Sequence, residues 1–549
     1  TLISPVLPHG GAPQPEQPYP GVEVVPGERR PQPVLTIPPS WYAMSERDTV
    51  AALKRLAGAK PEFRLSELQK DTGKGQSRAS LADIIRPHLD DLGLTLRPAG
   101  DDYVISRRPE EEPLTVSDAG RERQLAFFRN PEVPDYIQRQ VEAYIEKKTS
   151  KSPDDPVVLD RMRNAILVQK SQYWKERQVS YRKAYPVLGY LAYHAPVYLV
   201  QFEHIFWQLI SQGLVKPHMR ILDAGTGPGV VPLAIIDLYG RIGSGSAEIY
   251  VIERSEEHLE AYNALVPAAA EAQGGTVRVE KPIRADIGAL ASDDLPDRLD
   301  LVVFSNVLNE LRHMDINQRA DLVVDLADRL APDGTIVVVE PADLANSTAM
   351  RQTVRAIADR GLTIYSPCSF IRETACNPAR CWTFEQKGDI RPTRLMDRLA
   401  EGKDGYRFIN VDIKYSSALL RKDTKVQHAY RVPPGAKFAR LSHLRQHIDR
   451  KINVVAALIS GNLGDNRTKV YKVCDGTPAN PIYAVIPGTL RGPNRDALRE
   501  IAYGDIVKFY GVLVRFNRDH NAYNLVVLPG TRIEPAECPA GEEGGTRTT

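Results

Sequence analysis

The sequence predicts an α/β chain with three parts. A doubly wound parallel sheet lies at the centre, a winged-helix-like module precedes it and an OB-like β-barrel follows it. Three observations predict this. From residue 219 short apolar runs recur roughly every 30 residues with helical stretches between them, the rhythm of right-handed βαβ crossovers. The first run enters a glycine-rich turn, Asp223-Ala224-Gly225-Thr226-Gly227-Pro228-Gly229. Beyond 450, short strand-like runs follow one another with Gly, Asp and Asn turns, as in small barrels. The 549 residues also suit three or four domains at about 150 residues each.

Composition narrows the function classes. Lys and Arg number 71 against 69 Asp and Glu, a net charge of +2. Capture of nucleic acid or anionic membrane by the whole chain is excluded, so such binding needs local patches. No stretch approaches the roughly 18 to 20 apolar residues of a membrane span. Five cysteines exclude a disulfide scaffold and suit a reducing compartment.

Residues 1–40 are proline-rich, lack apolar periodicity and read as a disordered tail. Residues 41–108 read as the winged-helix-like module. A capping-box-like Ser45-Glu46-Arg47-Asp48 starts a helix to about Ala57. Helices near 65–72 and 78–92 follow, then a hairpin, Leu94–Arg97 and Tyr103–Arg107. Such a module suits nucleic acid or a protein contact. Residues 109–215 read as helical. Between Arg139 and Lys183 they carry 11 Lys/Arg against 6 Asp/Glu, with interleaved tyrosines. That mixture suits RNA, or a solvated face with tyrosines turned inward.

Residues 216–425 read as the central α/β core. Its strands are Met219–Ala224, Glu248–Ile252, Thr276–Val279, Leu299–Phe304 and Thr335–Val339. The first ends in the glycine loop, and the next four run on to Glu253, Asp286, Ser305-Asn306 and Glu340-Pro341. Ligands of such sheets bind outside the carboxyl ends of the strands, where these residues fall. Glycines at 225, 227 and 229 free the main chain to approach a ligand. Their G-x-G-x-G spacing departs from the dinucleotide fingerprint, G-x-G-x-x-G. With the acid before it, the loop resembles the first motif of class I S-adenosylmethionine-dependent methyltransferases, which are Rossmann-like. That resemblance implies Asp223 by the methionine moiety, Glu253 on the ribose hydroxyls and Asp286 by the adenine amine. The D/N-P-P-Y/F motif of amino-methylating enzymes is absent after the fourth strand. Ser305, Asn306 and Asn309 are the polar candidates there for holding a target base.

Cys368, Cys376 and Cys381 cluster within 14 residues. Thiolates are soft ligands for iron–sulfur clusters or zinc. The spacings, C-x7-C and C-x4-C, are not a zinc knuckle, and Cys474, before a turn, is the best fourth donor. Pro367-Cys368 superficially resembles the nucleophile of RNA cytosine-C5 methyltransferases but follows the wrong strand. Cys538 lies in a Pro/Gly-rich tail and is expected to be free.

Together these segments resemble the methyltransferase-like proteins of the mitochondrial small ribosomal subunit and their bacterial and archaeal relatives. The carriers are Leu222–Gly229, Val307-Leu308-Asn309-Glu310-Leu311, Val339-Glu340-Pro341, the cysteine segment ending Cys381-Trp382-Thr383-Phe384, Lys414-Tyr415-Ser416, Val473-Cys474-Asp475-Gly476 and Tyr503-Gly504-Asp505. Tyr190-Leu191 and Pro196-Val197-Tyr198 also fit. The resemblance implies a 4Fe–4S cluster on Cys368, Cys376, Cys381 and Cys474, and attachment to the small ribosomal subunit during assembly. Here Ser369-Phe370 stands where the family has His, and the second cysteine follows after a longer interval.

Residues 407–421 are strand-like and expected to close the core sheet. Lys414–Lys451 holds ten Lys/Arg against two acids, the strongest local positive excess. Residues 426–536 form the expected barrel, with Tyr510, Arg515, Phe516 and Tyr523 offering a basic, aromatic surface to RNA; 537–549 read as a second tail. The expected function is that of an S-adenosylmethionine-binding factor with an iron–sulfur cluster, acting on small-subunit ribosomal RNA in ribosome biogenesis. A non-catalytic assembly factor, or a methyltransferase for a protein or small molecule, are the alternatives. Monomeric when free and without a membrane partner, the protein is expected in prokaryotic cytoplasm or, in a eukaryote, in the mitochondrial matrix.

Overall fold

The computed structural model describes residues 46–536 except 73–76, 91, 109–110, 176–183, 290–294, 297, 373–375, 403, 466, 479 and 500. The two tails, the Ser45 cap, Tyr181 and Cys538 lie outside the described residues.

The first module runs α1 (Glu46–Ala59), β1 (Glu62–Arg64), α2 (Leu65–Thr72), α3 (Arg78–Leu89), β2 (Leu94–Ala99) and β3 (Asp102–Arg107). The strands form an antiparallel sheet in the order β1-β3-β2, which completes the winged-helix arrangement. Leu53, Leu65, Leu68, Leu81, Ile85 and Ile105 are its buried centre. The three-residue β1 was not expected: it pairs through only Glu62, Phe63 and Arg64, too short for a visible period of two. Helix α3 stops at Leu89, short of the expected residue 92.

Five helices follow: α4 (Asp118–Arg129), α5 (Asp135–Thr149), α6 (Pro156–Lys175), α7 (Ala184–Tyr193) and α8 (Ala195–Ser211). Their basic residues largely meet nearby acids, as in Lys151–Asp155 at 2.9 Å and Arg163–Asp160 at 2.8 Å. Tyr144 and Tyr193 turn inward. Helix α8 is apolar on nearly every side and correspondingly buried.

The core runs β4 (His218–Ala224), α9 (Val230–Ile242), β5 (Ser246–Ile252), α10 (Glu256–Ala272), β6 (Val277–Val279), β7 (Leu299–Ser305), α11 (Ile316–Ala327), β8 (Leu330–Pro341), α12 (Leu344–Asp359), β9 (Thr363–Ser366), β10 (Glu385–Gln386), α13 (Arg394–Leu399) and β11 (Lys414–Arg421). Strands β6-β5-β4-β7-β8 are parallel. Covered on both faces, they are continuous apolar runs rather than alternating ones. Antiparallel β11 inserts between β8 and β9, giving the sheet of a class I methyltransferase. The expected closing strand is confirmed only from Lys414; residues 405–408 make a tight turn instead.

The barrel is β12 (Lys451–Leu458), β13 (Lys469–Cys474), β14 (Ile482–Ile486), β15 (Ile506–Asn517), β16 (Ala522–Val526) and β17 (Arg532–Pro535). The ring β12-β13-β14-β16-β15 closes through β12–β15 pairing, and β14–β16 is parallel. That is OB connectivity. Within 414–451 Arg421 is buried against Asp423 at 2.9 Å, so one base and one acid leave the surface together and the positive excess stands. As the last residue of a central strand Arg421 points into the core.

Candidate functional site

A cavity of about 420 Å³ opens at the carboxyl ends of β4, β5, β7 and β8. Of the expected ligand-holding residues, Asp223, Gly225, Gly227, Glu253, Asp286, Ser305, Asn306 and Asn309 all line it. Gly229 does not. It caps α9 with φ +94°, and a Cβ there would stand 2.3 Å from Val266 Cγ2. Gly225, at φ +83°, would place a Cβ 2.6 Å from Val307 Cγ2. Both positions therefore require glycine, one for helix packing and one for the cavity floor.

The carboxylates differ in character. Glu253 accepts from Gly227 N at 2.9 Å and Ser255 N at 2.7 Å, with His258 Nδ1 3.9 Å away. Burial opposes its charge, but His258 and the two N–H groups outweigh it and hold its pKa below the usual value. Asp286 accepts from Gly288 N at 3.0 Å and faces Arg254 at 3.4 Å. Asp223 is 1% exposed, and neither carboxylate oxygen closes a hydrogen bond. Burial raises its pKa to about 7, against the nearby Thr226 hydroxyl and with Glu253 adding to the rise.

Sequence reasoning bet on Asn309 and passed over its neighbour Glu310, which lines the same cavity, and over Glu340 as a site residue. Glu340 is 1% exposed; its Oε1 accepts from Asn309 N at 3.2 Å and its Oε2 has no partner. Burial pushes Glu310 up to about 7 and Glu340 up to about 8. The visible signal was an acid at a strand end, Glu340-Pro341, in an otherwise apolar run. A second omission is the wall built by α7 and α8. Tyr190, Tyr193, His194 and Tyr198 line the cavity, with Tyr190–Tyr198 centroids 6.2 Å and Tyr193–His194 4.9 Å apart. Burial pulls His194 down to about 4, so its ring is neutral, while Lys170 Nζ stands 4.2 Å from the Tyr193 ring centroid.

A second site forms where the cysteine segment meets the barrel. Cys368, Cys376, Cys381 and Cys474 are free and partly buried. The fold brings Cys474, at the end of β13, close enough to Cys381 and Cys368 for their charges to interact, and Cys368 in turn to Cys376. Burial pushes Cys368 up to about 12 and Cys474 well above the usual thiol value. Among the described residues, no three His, Cys, Asp or Glu side chains stand in a metal-holding arrangement. The donor chemistry fits a thiolate-bound group, while the side-chain placement is not that of a closed site.

Two buried cations stand beside the thiols. Arg351, 3% exposed, donates to Thr383 Oγ1 at 2.6 Å, Ser417 O at 2.5 Å and Tyr503 Oη at 2.7 Å. Lys472 Nζ donates to Trp382 O at 2.6 Å. Arg351 thereby ties α12 to the barrel, and Arg372–Asp475 at 3.2 Å adds a second tie.

Residues 212–394 match the family model described as mitochondrial small ribosomal subunit Rsm22. Residues 442–536 match the C-terminal domain of a family of unknown function, DUF8157. No curated protein matches the sequence. Similar solved structures include YjhP from E. coli, at 19% identity over 26% of this chain and 49% of that one, TM-score 0.19. The chain thus spans about half the length of that relative. The glycopeptide N-methyltransferase MtfA with S-adenosyl-L-homocysteine is 13% identical over 40% of this chain and 88% of that one, TM-score 0.25. A SAM-dependent methyltransferase from Aquifex aeolicus is 15% identical over 33% and 89%, TM-score 0.24. The core of this chain, residues 212–394, thus matches the Rsm22 family of the mitochondrial small ribosomal subunit, the family whose motifs its sequence carries.

Proposed function

We propose that the protein is an S-adenosylmethionine-binding, methyltransferase-like factor that acts on RNA of the small ribosomal subunit. The supporting observation is the convergence of Asp223, Gly225, Gly227, Glu253 and Asp286 on one cavity. Glu253 would hold the ribose hydroxyls by charge-assisted hydrogen bonds. Asp286 would take the adenine amine, and Asp223 would lie by the methionine end. Bound there, S-adenosylmethionine supplies an activated methyl group. The chain orients it and excludes water with the α7–α8 wall. The ribosomal partner rests on the family match over 212–394.

Cys368, Cys376, Cys381 and Cys474 are proposed to carry a 4Fe–4S cluster, with zinc as the alternative. Such a group would join barrel to core and couple folding to metal supply. Divisions at 41–108, 109–215, 216–425 and 426–536 are proposed as the domains.

Equilibrium binding of labelled S-adenosylmethionine tests the cofactor reading; no binding overturns it. Anaerobic purification tests the cluster. A brown protein with about four irons supports it, and a colourless zinc protein overturns it. Sequencing RNA crosslinked to the protein in cells tests the partner: enrichment of small-subunit ribosomal RNA is expected, and none refutes it.

A further inference from the structure

The cavity holds more acid than cofactor binding uses. Beyond Asp223, Glu253 and Asp286 its lining carries Glu310, and Glu340, outside the lining, accepts from the N–H of lining residue Asn309. Glu340 is buried with one carboxyl oxygen unpartnered. A buried carboxyl without a cation costs several kcal/mol and is retained where something else needs it. The charged groups that bear on this pair are known. His258, Arg254 and Arg312 favour the charged form of Glu310 and Glu253 disfavours it; Arg319 favours the charge of Glu340 and Glu310 disfavours it. Arg254 pairs with Asp286, His258 lies 3.9 Å from Glu253, and Arg319 donates to Leu311 O. Both stay raised because burial outweighs the distant cations.

Across the cavity stands an aromatic wall, Tyr190, Tyr193, His194 and Tyr198, with Lys170 Nζ 4.2 Å from the Tyr193 ring centroid. Tyr198 lies near enough to Glu310 to sense its charge. A planar group entering beside this wall would stack on rings and present its edge to a carboxyl. The motif that grips a target nitrogen in amino-methylating enzymes is absent from the loop after β7, and Glu310 occupies that loop instead.

The geometry points to Glu310, backed by Glu340, as the proton acceptor for an exocyclic amine of a nucleobase held against the α7–α8 wall. This deepens the cofactor reading above and rests on it. In the step, the S–CH3 bond of the sulfonium breaks as the N–CH3 bond forms. The nitrogen loses one proton to the Glu310 carboxylate. A neutral methylamine, a thioether and a carboxylic acid result. Glu340 acts as a positioning residue: its Oε1 accepts from Asn309 N and so holds the main chain beside Glu310. Transfer therefore rises with pH through about 7, where Glu310 ionises.

The test uses the full chain, labelled S-adenosylmethionine and naked, unmodified small-subunit ribosomal RNA, digested afterwards to nucleosides. Label on an exocyclic amine is expected. Glu310→Gln is expected to lose transfer by about 100-fold or more while keeping S-adenosylmethionine affinity, which also reports that the variant folds. Glu340→Ala is expected to lower kcat with S-adenosylmethionine affinity kept, and Glu340→Gln, which keeps an acceptor for Asn309 N, is expected to rescue it. Label on a 2′-hydroxyl or a ring carbon, undiminished transfer by Glu310→Gln, or no transfer by a chain that binds the cofactor overturns the assignment. Failure to bind the cofactor overturns the cofactor reading instead.

Discussion

The strand-end cavity and the core–barrel junction bury opposite charges. At the cavity, Asp223 and Glu310 on the lining and Glu340 behind Asn309 are carboxyls whose pKa burial raises. At the junction, Arg351 and Lys472 are cations that, among the described residues, meet only neutral oxygens and thiols. Each region is electrostatically incomplete in the sense that suits its proposed guest. A sulfonium or an amine would join Lys170, Arg254 and Lys414 on the first, and thiolates on a metal group would compensate the second. Elsewhere charges are paired within the fold: Lys216 sits between Asp300 at 2.8 Å and Asp333 at 2.9 Å. The contrast teaches that uncompensated burial, more than charge count, marks the functional places in this molecule.

The comparison can be broken or sharpened by experiment. The largest effect is expected at the junction. Arg351→Ala strands Thr383, Ser417 and Tyr503 in the interior and should cost about 3–5 kcal/mol in urea unfolding. A loss below about 1 kcal/mol would mean the guanidinium is not the tie between α12 and the barrel.

In the cavity the sign reverses. Glu340 has a folded pKa near 8, above its unfolded value. Its stabilising protonated form is complete below the unfolded pKa and is lost as pH rises through about 8. Thermal stability should therefore fall between pH 5 and 8, and Glu340→Gln should restore on the order of 2 kcal/mol at the alkaline end. A pH-independent melting curve for both chains would remove the cavity from the comparison.

Glu253→Ala should weaken S-adenosylmethionine binding about tenfold, near 1.4 kcal/mol, by equilibrium binding. The smallest effect is expected on the barrel surface. There Arg532 stacks over Tyr510 at 4.2 Å and Lys508 over Tyr430 at 5.2 Å. Replacing either base by Gln should lower the salt slope of RNA binding by about one. An unchanged slope would place RNA elsewhere.

Much of the sheet was legible because its strands are apolar on both faces and end in glycine or acid. The antiparallel insertion of β11 was not: β9 has four residues, and nothing local says that β11 pairs on both sides. Asp223, Glu253 and Asp286 were legible through order and spacing. Glu310 was hidden beside Asn309, since an acid in a loop normally faces water and only the cavity shows otherwise. The aromatic wall comes from helices far upstream, and its rings converge only through the α7–α8 turn. The pairing of Arg421 with Asp423, two residues on, leaves the charge excess of that segment as the sequence has it.

Glu253 carries one more consequence. Its two oxygens are occupied by Gly227 N and Ser255 N at opposite ends of the carboxylate, so its rotamer is frozen before any ligand arrives. Freezing such a side chain on binding usually costs roughly 0.5–1.5 kcal/mol. Here that ordering is completed during folding. The glycine loop and β5 are thereby locked together in the ligand-free chain, so occupancy of the ribose position should leave hydrogen-exchange protection of Gly227 and Ser255 almost unchanged.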